Sequence, residues 1–289
     1  MTPDSARVDS SHEVSLDEVW RDLIDDAAIF PPGDTPLHDA TAAFADRAAQ
    51  AAELVATFVL RDTDLPLVRG FAGPLSVVVT GGAGQVAGPG ALCNRLGLRL
   101  AGLEIALRDP DDLVGNVRRI DTAVRAADVD LPVHIEIPGP ATPQWLAAAD
   151  EVAATGHRLK LRLGNLDHDL VPDSATVAAW IDAALDRETP FKGTAGLHRA
   201  VRHDPEGGGM HGFLNVMVAT ARLWDGGTVA DAIDALEERD GAALAATDLG
   251  HVRRWFTSFG SCSVTEPLDD LIALGLLTPD TTRHPLEQP

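Results

Sequence analysis

The sequence predicts a single-domain α/β protein, a (β/α)8 barrel of the TIM-barrel class. Eight short β-like runs alternate with Ala-rich segments whose apolar residues recur every three or four positions. Gly or Pro follows most of the runs closely, as loops from strand to helix require. The chain has 289 residues, a length that one such barrel fills. An open doubly wound sheet is the alternative arrangement of these elements.

The individual elements follow from the same patterns. The predicted strands are 26–30, 56–60, 75–80, 102–107, 132–137, 158–163, 190–195 and 255–258. The predicted helices are 37–54, 110–127, 143–154, 174–186, 213–224, 229–238 and 268–274. The Gly-rich segment 81–90 is expected to be a loop, and Asp173 or Ser174 is expected to cap the helix that follows it in sequence. The barrel is assigned to 16–279, with flexible tails at 1–15 and 280–289.

Charge and hydropathy exclude several classes of function. Lys and Arg total 23 against 44 Asp and Glu, a net charge of −21, which repels nucleic acid and anionic lipid. No apolar run reaches ~18 residues, the length of a membrane span, and residues 1–15 lack the pattern of a signal peptide. We therefore expect a cytoplasmic protein without nucleic-acid or membrane partners. Its two cysteines, Cys93 and Cys262, are too few for a disulfide framework.

The lysines are the most informative residues. Only two of the 23 basic residues are lysines, Lys160 and Lys192. Arg can replace Lys as a surface charge but cannot lose its proton and attack a carbonyl. Both lysines fall on predicted strands, where alternation with apolar residues directs polar side chains into the barrel. The predicted inward-facing set is Glu104, His134, Glu136, Lys160, Arg162, Lys192 and Thr194.

This set predicts amine chemistry. A lysine among other cations keeps part of its amine neutral and able to form a Schiff base with an aldehyde or ketone. We expect Lys160 to be the nucleophile and Lys192 its activating cation, although the two roles could be exchanged. Glu104 and Glu136 are candidate proton shuttles. A satisfied internal salt-bridge network is the structural alternative.

Several short motifs resemble the class I aldolases of the deoxyribose-phosphate aldolase type. They are Leu-Ile-Asp-Asp at 23–26, Gly-Leu-Glu-Ile-Ala-Leu at 102–107, Val-His-Ile-Glu at 133–136, Phe-Lys-Gly-Thr-Ala-Gly-Leu at 191–197 and Phe-Gly-Ser-Cys-Ser at 259–263. The resemblance implies a (β/α)8 barrel with the Schiff-base lysine on strand six, here Lys160, and a second lysine on strand seven, here Lys192. It also implies that Glu104 takes the position of a proton-relay Asp and that 259–263 forms a phosphate-binding turn.

The chain also departs from that family. Strand six reads Lys-Leu-Arg-Leu-Gly without a Thr/Ser run, strand seven lacks a double glycine, and a helical insertion, 212–246, precedes strand eight. These departures bear on the sugar-phosphate substrate more than on the Schiff base.

Substrate-binding candidates surround the lysines. A cationic group after strand seven is expected to grip a carboxylate or phosphate, and Gly207–Gly209 is expected to form a mobile loop there. Asn215 is expected to share a helix face with His211. We expect no activating His beside Cys262, so we do not expect it to act as a nucleophile. The full substrate-binding set is His134, Arg162, Thr194, His198, Arg202, His211 and Ser261.

The leading hypothesis is therefore a metal-independent, cofactor-free aldolase-type lyase acting on a small anionic carbonyl compound. A metal-dependent barrel hydrolase or isomerase using His134, Glu136 and His198 is the first alternative. A non-catalytic metabolite-binding barrel is the second. A homodimer is left open, since barrels of this size often form dimers.

Overall fold

Eight parallel strands form the centre of the molecule. The computed structural model describes residues 18–164, 171–204 and 209–279. The strands are β1 (Ile24–Asp26), β2 (Val55–Arg61), β3 (Pro74–Val78), β4 (Arg99–Ala106), β5 (Val133–Glu136), β6 (Arg158–Arg162), β7 (Phe191–Thr194) and β8 (Phe256–Ser261). Each strand pairs with the next in chain order, and β8 pairs with β1, so the sheet closes into a barrel. The predicted (β/α)8 barrel is confirmed, and the open sheet is excluded.

Helices surround this barrel and connect its strands. They are α1 (Leu37–Ala45), α2 (Ala49–Leu54), α3 (Ala87–Leu96), α4 (Leu113–Ala126), α5 (Pro143–Ala154), α6 (Ser174–Asp186), α7 (Phe213–Trp224), α8 (Val229–Glu237), α9 (Gly241–Ala245) and α10 (Thr265–Ala273). The Asp173 side chain accepts the Thr176 N–H and caps α6 as predicted. The helical insertion predicted before strand eight consists of α7, α8 and α9. No helix within the described ranges is long and apolar enough to cross a bilayer.

The first strand lies earlier than predicted. The sequence predicts a strand over 26–30, but β1 ends at Asp26. The Asp26 carboxylate accepts the N–H of Ala28 at 3.0 Å, and Phe30 N–H donates to the Ala27 carbonyl at 2.9 Å. These local hydrogen bonds replace strand pairing, so residues 27–30 form a loop at the C-terminal end of the barrel.

Two helical predictions also need correction. The single helix predicted over 37–54 is broken into α1 and α2, and between them Arg47 turns inward to pair with the buried Asp26. The segment 81–90 is not entirely a loop, because Gly88 and Gly90 lie in α3. Each glycine costs about 1 kcal/mol in a helix. The buried Cys93, packed in the core, helps to offset that penalty.

The core lies between the outer face of the barrel and the helices. Apolar residues at alternate strand positions, such as Leu103, Ile135 and Leu159, are fully buried there. The same alternation leaves polar residues on the inner face. The barrel interior is therefore the place where charged side chains can meet. The predicted tails 1–15 and 280–289, and Gly207 and Gly208 of the predicted mobile loop, lie outside the described residues.

Candidate active site

The barrel interior holds a belt of polar side chains. Ion pairs join β4 to β6, β4 to β7 and β1 to β7, strands that are not neighbours in the sheet, so these side chains must meet inside the barrel. The register places further polar residues beside them on adjacent strands. The belt consists of Asp25, Thr57, Ser76, Glu104, His134, Lys160, Lys192 and Ser258.

Glu104 is the central residue of this belt. One carboxylate oxygen, Oε2, lies 2.8 Å from Lys160 Nζ. The other, Oε1, lies 2.7 Å from Lys192 Nζ and accepts a hydrogen bond from Ser76 Oγ at 2.8 Å. Burial disfavours the charged carboxylate, but the two ammonium groups outweigh it and hold the pKa of Glu104 well below its usual range. Glu104 is therefore an anion that binds both lysines.

Lys192 is enclosed by carboxylates. Besides Glu104, it contacts Asp25 Oδ2 at 2.6 Å, and Asp25 accepts hydrogen bonds from Ser258 and Thr57. Burial opposes the ammonium form, yet these two carboxylates raise the pKa of Lys192 well above its ordinary value. Lys192 is predicted to be the cation beside Lys160, and its contacts with two anions favour that role over the exchanged one, in which Lys192 would be a neutral nucleophile.

Lys160 lies between two carboxylates as well. Its Nζ is 3.2 Å from Oε2 of Glu136, in addition to Glu104. Arg162 completes the chain through two hydrogen bonds to Glu136, at 2.6 and 3.2 Å. Burial opposes ionisation of Glu136, but Lys160 and Arg162 lower its pKa below the ordinary value. The predicted catalytic set, Lys160, Lys192, Glu104 and Glu136, is thus brought together in one network.

A cavity of about 1270 Å³ opens above this network, at the C-terminal ends of the strands. Its floor includes Lys160, Lys192 and Glu104. Five Lys and Arg side chains line it against three carboxylates, in a chain whose net charge is −21. The cavity is therefore much less acidic than the molecule as a whole, so its charge is compatible with the binding of an anion. The position matches the face where barrel enzymes carry their active sites.

The ends of β6 and β7 and the loop after β7 supply the cationic side of the cavity. Arg162, Thr194, His198 and Arg202 of the predicted substrate-binding set line the wall. Arg202 is held by Glu237, 3.1 Å from its Nε. Exposed Arg199 also lines the wall, and it pairs with Asp270 at 2.7 Å. Carboxylates thus fix both guanidinium groups at the cavity.

Three predicted substrate-binding residues are not part of the described cavity wall. His211 is buried behind Arg202, where Nε2 donates to the Pro172 carbonyl at 2.8 Å and Nδ1 faces the Arg202 guanidinium at 3.3 Å. Ser261 is buried, and its hydroxyl donates to the Ser263 carbonyl at 2.6 Å. His134 is buried in the belt, where burial and the Lys192 charge hold its pKa well below the ordinary value.

Asn215 does not share a helix face with His211, because α7 begins only at Phe213. Its side chain instead accepts the Arg202 N–H at 2.8 Å and donates to the carbonyls of Ala235 and Glu238. Asn215 is fully buried. It therefore joins the loop after β7 to the end of α8 and fixes the backbone of Arg202.

Cys262 is the clearest difference from the sequence-based expectation. Its Sγ lies 3.3 Å from Nδ1 of His198, and both residues line the cavity. The expectation that no histidine lies beside Cys262 is wrong. The two residues are 64 positions apart in the chain and meet only because β7 and β8 are neighbours in the barrel.

Asp25 is a functional candidate that the sequence presents only within the Leu-Ile-Asp-Asp motif at 23–26. Its signal was present, because a carboxylate that follows the apolar Leu23 and Ile24 on a strand must find a buried partner. Within the described ranges, no group of three or more His, Cys, Asp or Glu side chains is arranged to hold a metal ion. His134, Glu136 and His198, the ligands of the metal alternative, do not form such a group.

Comparison with known proteins does not name a family. A scan against protein-family models found no match for this chain. A search of curated proteins found none with significant similarity.

Proposed function

We propose that this protein is an aldolase-type lyase that acts on a small anionic carbonyl compound through a Schiff base on Lys160. The observation that carries the proposal is the pair of buried lysines joined by one carboxylate, Glu104, at the floor of the cavity. Barrels host many chemistries, so the fold alone does not select this one. The residue types and their contacts support it.

The contacts favour distinct roles for the two lysines. Lys192 is 2% exposed and is held between two carboxylates that raise its pKa, so it stays a cation throughout the neutral range. Lys160 shares Glu104 with it, and its second partner, Glu136, also binds the half-exposed Arg162. Glu136 can change partners more readily than the enclosed Asp25. We therefore assign Lys160 as the nucleophile and Lys192 as the permanent cation beside it.

The reaction then follows from these contacts. Lys160 passes a proton to Glu136, and its neutral amine attacks the carbonyl carbon of the substrate. A C–N bond forms, and the carbonyl oxygen accepts protons and leaves as water. The resulting iminium accepts the electron pair of the C–C bond that breaks, while Glu136, ionised again, takes the proton of the hydroxyl group on the leaving carbon. This yields a free carbonyl product and an enamine, which is then protonated on carbon and hydrolysed by water to release the second product and regenerate Lys160. Lys192 helps to keep Glu104 ionised during these transfers.

The anionic part of the substrate is assigned to the cationic side of the cavity. Arg162 and Arg202 line it, and Thr194 adds a hydroxyl at the end of β7. Carboxylates already position both guanidinium groups, so little conformational entropy is lost when they bind an anion.

Exchange of substrate hydrogens with solvent tests this proposal. An enamine takes up solvent deuterium at the carbon next to the carbonyl, which NMR detects. We expect the wild type in D2O to exchange these hydrogens in at least one of a panel of aldehydes, keto acids and sugar phosphates. Exchange should survive EDTA and be lost in Lys160→Arg. Exchange that persists in Lys160→Arg, or that EDTA abolishes, would overturn the proposal and favour a metal-dependent reaction.

A non-catalytic metabolite-binding barrel is the second candidate. It is favoured by one observation, that both lysines and Arg162 have carboxylate partners, as a purely structural network would have. It predicts that ligands of the panel bind without any exchange. It also predicts that Lys160→Arg leaves their binding largely intact.

A further inference from the structure

Cys262 and His198 form a thiol–imidazole pair on the wall of the same cavity. Cys262 follows β8 and His198 follows β7, and Sγ lies 3.3 Å from Nδ1 and 3.9 Å from Nε2. A nucleophile within hydrogen-bond reach of a base is the arrangement that covalent catalysis uses. We propose that Cys262, with His198 as its base, is a second covalent site in this cavity and that it reversibly captures aldehydes as thiohemiacetals.

The resting state of the pair is neutral. Burial, with the charges of Glu266 and Asp26, raises the pKa of the Cys262 thiol. Burial lowers the pKa of His198, with a smaller contribution from His203 in the same direction, whereas Glu266 opposes it. A neutral imidazole can accept the thiol proton, whereas an imidazolium cannot. The pair is therefore arranged for general-base activation and does not hold a preformed thiolate.

The loop after β1 packs directly on this thiol. A Cβ atom placed on Gly33 would lie 2.9 Å from Cys262 Cβ and 2.7 Å from the Ala28 carbonyl oxygen, so only glycine fits there without movement. The nearby backbone of Gly33 and of Cys262 itself acts to lower the pKa of the thiol, in opposition to burial. The thiol is thus fixed on one side by backbone and faces the cavity and His198 on the other.

The proposed step is balanced without a further reactant. Sγ attacks the aldehyde carbon, a C–S bond forms, and the π electrons of the carbonyl move to its oxygen. The thiol proton passes to His198 Nδ1 and then to that oxygen, which gives a thiohemiacetal. Nothing is oxidised or reduced, and the reverse steps release the aldehyde. The proposal goes beyond the Schiff base at Lys160 and does not depend on it.

Alkylation by iodoacetamide tests the pair itself, and peptide mass spectrometry reads each cysteine separately. We expect His198→Gln to slow alkylation of Cys262 by roughly 10-fold or more. Alkylation of Cys93, which is buried in α3 and serves as the internal control, should be unchanged. The wild-type rate at Cys262 should level off between the pKa of His198 and that of the thiol. An unchanged rate in His198→Gln, or a rate that rises steadily with pH through this range, would overturn the proposal.

Protection by acetaldehyde tests the aldehyde capture. We expect acetaldehyde to slow alkylation of Cys262 in the wild type and equally in Lys160→Met, with recovery after its removal by dialysis. Protection that disappears in Lys160→Met would assign the effect to an imine at Lys160 and would overturn the capture at sulfur. Absence of protection in both proteins would overturn it as well, and would leave the proposed lyase function unaffected. Cys262→Ser verifies the assignment of the labelled peptide.

Discussion

Lys160 Nζ lies 2.8 Å from Oε2 of Glu104, with the two side chains only 6% and 2% exposed. The second oxygen of the same carboxylate is held by Lys192 and Ser76. One buried anion therefore fixes the positions of both lysines and partly balances their charges. Removal of this anion should affect the stability of the barrel and its chemistry together.

Replacement of Glu104 by Gln keeps the shape of the side chain but removes its charge. Two buried ammonium groups then lose a shared partner, and we expect the free energy of unfolding to fall by about 3–5 kcal/mol. Urea denaturation measures it. Glu266→Gln, at an exposed carboxylate on the same cavity, is the control and should change it by less than about 0.5 kcal/mol. Similar losses in the two variants would argue against the central position of Glu104.

The free energy of unfolding should fall at both low and high pH. The pKa of Glu104 is lowered from 4.5 in the folded protein. The stabilisation that ionised Glu104 provides is therefore fully present above pH 4.5 and is lost as the pH falls through the folded-state pKa. The pKa of Lys192 is raised from 10.5 in the folded protein. The stabilisation that the Lys192 ammonium group provides is therefore fully present below pH 10.5 and is lost as the pH rises through the folded-state pKa. Unfolding free energies from urea melts across this range should show both losses. If the free energy of unfolding falls as steeply at low pH in Glu104→Gln as in the wild type, the loss cannot be assigned to Glu104.

The two lysines should differ in their structural importance. In Lys192→Met, Asp25 keeps hydroxyl partners but loses its ammonium partner. In Lys160→Met, Glu104 keeps Lys192 and Glu136 keeps Arg162. We expect Lys192→Met to destabilise by roughly 3–5 kcal/mol and Lys160→Met by less, because only the former leaves a buried carboxylate without a cation. Thermal or urea unfolding measures the loss of stability in both variants. A larger loss in Lys160→Met than in Lys192→Met would refute the prediction.

Arg202 should recognise the negative group of the substrate. We compare a phosphorylated aldehyde with its unphosphorylated counterpart in the deuterium-exchange assay. Arg202→Gln should raise KM for the anionic compound by roughly 10-fold, with little change in kcat and no change for the neutral compound. Asp204→Asn, on the exposed part of the same loop, is the matched control. An equal effect on both compounds would show that Arg202 acts only through the structure of the loop.

Much of the fold could be predicted because the alternation of apolar and polar residues along a strand is a local property of the sequence. The pattern of Leu159, Lys160, Leu161 and Arg162 places apolar side chains outward and charges inward whatever the partner strand. The start of α6 was predictable for the same reason, since Asp173 caps it within three residues. The end of β1 was not, because the turn after Asp26 depends on its own side-chain hydrogen bond rather than on hydropathy.

The sequence predicts which residues lie in the site but not which of them contact each other. Sequence alternation selects Glu104, Lys160 and Lys192, but it cannot show that carboxylates rather than cations contact Lys192. That contact depends on barrel closure, which brings β1 to β7 across the interior. The pair of Cys262 and His198 is invisible in the sequence for the same reason. His211 and Ser261 have suitable chemistry, but their hydrogen bonds hold loops together behind the cavity wall.

Reductive trapping with peptide mapping tests whether Lys160 forms a Schiff base with the substrate. The protein is incubated with a carbonyl compound that supports deuterium exchange, treated with borohydride and digested, and the modified lysine is identified by mass spectrometry. We expect one adduct per chain, on Lys160, in the wild type and none in Lys160→Arg. An adduct on Lys192, or no adduct with a compound that the protein turns over, would contradict it.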